Sequence, residues 1–136
     1  MIRTRNFFAL GLCMLIMLGS VTTASAYNTK FSFSLSSGWL SPWDYSSAVY
    51  KVTTDENPVV SATYTNDKKN TFKYDVVNSD SESRVTPITK TGTFSVTKFS
   101  RNTTQQNYKY RLGVKRETGA WNSSASVEGL WNIDSY

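Results

Sequence analysis

The sequence predicts an all-β fold, a small antiparallel β-sandwich of about seven strands held without disulfides. Three observations predict it. Apolar side chains recur with a period of two through most of residues 30–133, the signature of half-buried strands. The segments that carry this period are rich in β-branched and aromatic residues, which suit a pleated surface with one face buried, and clusters of turn residues separate them. The single cysteine, Cys13, lies in an N-terminal leader, so packing alone must hold the domain where small exported proteins often use bridges.

The first segment is NTKFSFSL, where Phe31, Phe33 and Leu35 alternate with Lys30, Ser32 and Ser34. The stretch 36–47, SSGWLSPWDYSS, breaks the period with Gly38 and Pro42 and reads as a loop. In SAVYKVTT the period places Ala48, Tyr50 and Val52 on one face, and in VVSATYT it groups Val60, Ala62 and Tyr64. In TFKYDVV, Phe72, Tyr74 and Val76 oppose Lys73 and Asp75, and in GTFSVTKF, Phe94 and Val96 oppose Thr93, Ser95 and Thr97. In YKYRLGVK, Tyr108, Tyr110, Leu112 and Val114 alternate with Lys109, Arg111, Gly113 and Lys115. The last segment puts Val127, Trp131 and Ile133 inward, with Gly129 leaving room for a neighbouring ring or marking a bulge. Asn78 to Ser83 reads as a polar, flexible connection, and no window carries a helical stripe.

Residues 1–26 read as a secretory signal peptide. Arg3 and Arg5 precede an apolar run from Phe7 to Leu18, and Ala24-Ser25-Ala26 supplies the small residues of a cleavage site. The run is shorter than the roughly 20 apolar residues that span a bilayer. Removing 26 of the 136 residues leaves 110, residues 27–136, the length of one domain with no transmembrane segment. Without Arg3 and Arg5 the 15 basic residues become 13 against 10 acidic ones, a net charge of +3. The basic residues are scattered, which suits weak attraction to an anionic wall or membrane surface and not a nucleic-acid interface. Oligomeric state is not encoded in any of these features.

Much chemistry is excluded by residue type. There is no histidine, hence no imidazole base, no imidazole metal ligand and no Ser-His-Asp triad. No thiol remains after the leader, so cysteine nucleophiles and thiolate zinc sites are excluded. Neither a phosphate-binding loop nor a dinucleotide fingerprint occurs. Asn78, Asp80 and Glu82 are spaced like part of a calcium loop but lack its glycine and terminal glutamate. No cofactor and no metal are expected. The carboxylates could pair for glycoside hydrolysis, but most fall in turns or beside lysines, where solvated surface charge is the simpler account.

The aromatics are the most informative residues for binding. Trp39, Trp43 and Tyr45 share the 36–47 loop, and Trp121 lies in the turn before the last strand. Either the loop rings fold over one end of the sandwich and plug the core, as large aromatics usually do, or they are displayed as a flat platform on which a pyranose stacks.

Three segments resemble a family of small secreted proteins of Gram-positive bacteria known as domain of unknown function 2712. YNTKFSFSL is similar to its opening strand, and SSAVYKVTTDENPVVSATYTN to its Ser-rich segment, turn and second strand. YKYRLGVKRETGAWNSSASVEGLWNIDS is similar to its closing hairpin, with Arg116-Glu117 before the turn and Gly129, Trp131 and Asp134 in the last strand. The resemblance covers nearly all of 27–136 and implies secretion, an all-β domain and no assigned activity. In architecture and composition the chain also looks distantly like the lactococcin 972-type bacteriocins, small exported cysteine-free β-sandwiches that act at a bacterial envelope. The expectation is a secreted, non-enzymatic protein acting at a cell envelope, as a bacteriocin-like or intercellular effector. The alternative is a cell-wall or carbohydrate-binding module using Trp39, Trp43, Tyr45 and Trp121.

Overall fold

The structure, a computed structural model, describes residues 28–36, 42–117 and 123–135. The expected leader lies outside them. All regular structure among the described residues is strand: β1 (Thr29–Leu35), β2 (Asp44–Tyr45), β3 (Val49–Tyr50), β4 (Val59–Thr65), β5 (Thr71–Val77), β6 (Ile88–Thr91), β7 (Phe94–Lys98), β8 (Lys109–Arg116) and β9 (Ala125–Asn132). No described helix is long and apolar enough to cross a membrane. Every pairing is antiparallel. One sheet has the order β1-β9-β4-β7; the other has β2-β8-β5-β6, with β3 also on β8.

The seven expected strands are all present. The two additional ones, β2 and β6, have two and four residues, too short for a period to show in the sequence. From β4 onward only β5 and β6 are consecutive partners, and every other connection crosses between sheets. In particular β8 and β9 lie in opposite sheets and do not form the closing hairpin that the family resemblance implied.

The inner faces bury Phe31, Phe33 and Leu35 from β1, Phe72, Tyr74 and Val76 from β5, Leu112 and Val114 from β8, and Val127 and Trp131 from β9. Rings account for much of this core. Phe31 stacks on Phe33 at 5.6 Å, and Tyr74 meets Phe94 edge-on at 5.1 Å, a favoured aromatic geometry. Gly129 faces inward between Val127 and Trp131, and a Cβ there would stand 1.9 Å from the Ser61 carbonyl oxygen and 2.7 Å from the Phe31 ring. It thus makes room for a ring, and a bulge lies beside it.

Three one-residue register shifts decide which side chains reach solvent. A strand alternates faces, so a slip of one residue reverses every side chain beyond it. Against β9, Ala62 pairs with Gly129 but Tyr64 pairs with Glu128. The bulge turns Tyr64 outward, 49% exposed, and brings Thr65 inward. Against β4, Val60 faces Thr97 but Ala62 faces Phe94; the extra residue in β7 leaves Val96 53% exposed while Phe94 packs on the core. Against β8, Tyr45 faces Gly113 but Val49 faces Tyr110, so Val49 packs on the core and Tyr50 is 60% exposed. The strict alternation expected from sequence is therefore corrected at Tyr50, Tyr64 and Val96. Tyr108, expected inward with Tyr110, is also exposed, at the turn before β8.

A buried ion pair closes the end of the sandwich where β3 stops and β9 finishes. Lys51, expected on a polar face, is fully buried. Its ammonium donates to the Glu56 carbonyl (2.6 Å), the Ile133 carbonyl (3.0 Å) and Asp134 Oδ1 (3.4 Å). Asp134 in turn accepts from the Val52 amide (3.0 Å), the Thr53 amide (2.8 Å) and the Thr53 hydroxyl (2.6 Å). Burial by itself raises the Asp134 carboxyl, but the Thr53 and Val52 hydrogen bonds and the Lys51 charge outweigh it, and the net displacement is downward from 3.8. At the other end Arg116 pairs with Asp67 at 3.0 Å, and Asn70 donates to the same carboxylate. Here too hydrogen bonds from Asn70 and Arg116, with the Arg116 charge, overcome burial and lower the carboxyl.

Gly129→Ala forces a Cβ against backbone and should cost about 3 kcal/mol or more, read as a lowered denaturation midpoint; a change below about 1 kcal/mol would refute the close approach. Asp134→Asn strands the Lys51 charge and should cost about 3–5 kcal/mol at neutral pH. A carboxyl lowered in the folded state contributes its stability above its unfolded pKa and loses it as pH falls through the folded value. The gap between wild type and Asp134→Asn should therefore narrow as pH falls below about 4, and a gap independent of pH would contradict the pairing.

Candidate binding face on β8

β8 reads KYRLGVKR, and pleating sends Leu112 and Val114 into the core and Lys109, Arg111, Gly113 and Lys115 to the outer face. Chain segment 43–50 runs along its edge. Tyr45 pairs with Gly113 through β2, and the Ser46 hydroxyl accepts from the Leu112 amide at 2.9 Å, bridging the gap before β3. Trp43 and Tyr45 share a parity and both turn onto the outer face. They can do so because residue 113 has no side chain. A Cβ there would lie 2.9 Å from Tyr45 Cε1 and 3.2 Å from Trp43 Cε3.

The rings and the cations form a row. Trp43 and Tyr45 are stacked at 6.5 Å with 19° between their planes. Arg111 Cζ lies 4.7 Å over the Tyr45 ring, and Lys115 Nζ lies 5.3 Å over Trp43. Farther along the strand, Lys109 Nζ sits 4.8 Å over Tyr50, which the bulge before β3 has brought to the same face. Each contact is a cation–π pair worth about 0.5–1 kcal/mol at an exposed site.

Positive charge accumulates beside this row. Lys73 of β5 pairs directly with Lys115, an arrangement of like charges that costs energy. Glu117 relieves both, 3.3 Å from Lys73 and 3.9 Å from Lys115. Asp75 pairs with Gly113 across the same face but is buried, contrary to its expected exposure. The 78–84 loop folds back over it, and the Ser83 hydroxyl and Val76 amide each donate to its Oδ1 at 2.7 Å. Burial pushes this carboxyl up, partly opposed by Ser83, Val76 and the charges of Lys73 and Arg101.

That loop is bonded to itself. The Asn78 side-chain oxygen accepts from the Asp80 and Glu82 amides, and Glu82 pairs with Arg84 at 2.7 Å. Asn78 and Glu82 are thus spent on the loop itself, and no group of three carboxylate residues gathers for a metal among the described residues. Each of four clefts lined by described residues carries a single carboxylate residue: Glu128, Asp80 or, in two of them, Asp44. Glycoside hydrolysis uses two.

Of the four residues singled out from sequence, the structure brings Trp43 and Tyr45 together, half-buried, outside the core cluster. Trp39 and Trp121 lie outside the described residues. Trp43 and Tyr45 do not plug the core, and each carries one cation over a ring face. Sequence reading missed Lys109, Arg111, Gly113 and Lys115 as partners of the rings. The signal was present as a basic outer stripe interrupted by glycine in YKYRLGVK.

Comparison with known protein families, curated proteins and solved structures finds no match. Fold and face together define a class: a small all-β sandwich carrying a cation–aromatic row on the outer face of one sheet.

Gly113→Val should expel Tyr45 and Trp43 from the row at a cost of about 1 kcal/mol and raise the acrylamide quenching of tryptophan fluorescence, with the far-UV circular dichroism unchanged. Unaltered quenching would contradict the packing of the rings on Gly113.

Proposed function

We propose that this protein is exported and acts without catalysis at a bacterial cell envelope, which it contacts through the outer face of β8. The observation that carries the reading is the row Arg111–Tyr45–Trp43–Lys115, in which rings and cations hold one another in place. Such an array is organised before a ligand arrives, which lowers the ordering cost of binding. The signal-peptide features of residues 1–26 and the net charge of +3 beyond them support the same reading, because bacterial envelopes are anionic and attract basic surfaces. Single carboxylates in the clefts and the absence of histidine and thiol from residues 27–136 favour binding over chemistry. The row favours the wall-binding alternative. The bacteriocin-like effector rests on the likeness to lactococcin 972-type proteins, and growth inhibition of related bacteria distinguishes the two.

Co-sedimentation with isolated Gram-positive cell walls tests the contact. Wild type should pellet with the walls, and Arg111→Gln combined with Lys115→Gln should weaken this at least tenfold. Absence of wall binding, or equal binding by the double variant, would overturn the proposal.

A further inference from the structure

We infer that the β8 face takes a linear polyanion carrying repeated phosphodiesters, such as poly(glycerol phosphate), laid along the strand. The inference rests on the envelope reading above and specifies its ligand. Three features of the face lead to it.

First, the ring faces are occupied. A neutral pyranose stacks on an exposed aromatic face, but Arg111 lies over Tyr45, Lys115 lies over Trp43, and the two rings stack on each other. What the row offers a ligand is ring edges, which carry the positive part of the aromatic quadrupole, and cationic tips. The same occupancy disfavours single-stranded nucleic acid, whose bases gain affinity by stacking on free rings.

Second, cations are in excess. Lys73, Lys109, Arg111 and Lys115 share this face with the partly exposed carboxylate of Glu117. The other carboxylate, Asp75, is buried and directed to Ser83 and the Val76 amide. Lys73 and Lys115 are directly opposed and share the one carboxylate of Glu117, so the trio keeps a net positive charge for an incoming anion.

Third, the charges are collinear. Outward positions of a strand repeat about every 7 Å, and Lys109 to Lys115 spans roughly 20 Å. A single small anion satisfies one of these sites, whereas a chain of regularly spaced phosphates satisfies several at once. Beyond Lys109 the row meets a cleft of about 400 Å³ lined by Arg84 and Asp80, where Arg84 is already paired with Glu82, so the cationic track ends at Lys109.

The test uses the chain from Tyr27 onward, which contains every strand of both sheets. Its binding is measured to soluble poly(glycerol phosphate), N-acetylglucosamine oligomers, oligo(dT) and phosphatidylglycerol vesicles, at several salt concentrations. Poly(glycerol phosphate) should bind with a log–log salt slope of about −2 to −3, as three or four phosphate contacts require. Arg111→Gln with Lys115→Gln should weaken it at least tenfold with the far-UV circular dichroism unchanged and the domain still folded at the assay temperature. Lys30→Gln with Lys98→Gln, which removes two exposed charges from the other sheet, should leave it unchanged. The inference is overturned if the neutral oligomers bind without salt dependence, if oligo(dT) or the vesicles bind more tightly than the polymer, or if the two double variants behave alike. Wall binding retained without polymer binding rejects this ligand class and leaves the envelope reading standing; loss of both rejects both.

Discussion

The fold depends on one buried ion pair, Lys51 with Asp134. Segment 43–50, which carries Trp43, Tyr45 and Tyr50, pairs with β8 through two strands of only two residues each. Pairs that short do not hold a chain in register alone. The anchoring comes from residues 51–53, directly after β3. The Lys51 ammonium reaches the carbonyls of Glu56 and Ile133, and the Asp134 carboxylate collects the amides of Val52 and Thr53. One ion pair thus ties the end of the edge segment to the turn after β9. Burying two charges is costly, and the pair is tolerable because hydrogen bonds surround both partners. In a chain whose one cysteine is Cys13, outside both sheets, it does the joining that a disulfide does in many small domains.

From this anchor the outer face of β8 is set by register. The extra residue between Ser46 and Val49 reverses the parity of the edge segment. Trp43 and Tyr45 on one side of it and Tyr50 on the other therefore reach the same outer surface despite their odd and even numbers. Gly113 supplies the second condition, a position on the central strand over which two rings can lie. Where β8 carries side chains, they are cations that cover those rings. Display and packing are not alternatives here: the rings are held by the residues whose charge they help to present.

The sequence made the sandwich legible because period two survives in β1, β5 and β8, whose inner residues Phe31, Phe33, Phe72, Tyr74, Leu112 and Val114 are where alternation places them. Trp131 was legible in the same way, and Gly129 beside it was recognised as space for a ring. Reading failed where the period slips. Nothing in VVSATYT marks the bulge after Ala62, and nothing in SAVYKVTT shows that the lysine turns inward, since its partner Asp134 is 83 residues away. Such a pairing is a tertiary fact that no local window contains. Of the site, Trp43 and Tyr45 were found by residue type alone. Their cationic partners were missed because they belong to another segment, and only the pairing of Tyr45 with Gly113 brings the two together.

The Lys51–Asp134 anchor supports the edge segment and, through it, the β8 face. Native-state hydrogen exchange at the Val52 and Thr53 amides measures this most directly, because both donate to Asp134 in a region with no strand ladder of its own. If the anchor holds the segment, these amides exchange only with global unfolding, as slowly as the central residues of β4 and β9. Exchange at the rate of an exposed loop, while those strands remain protected, would contradict it.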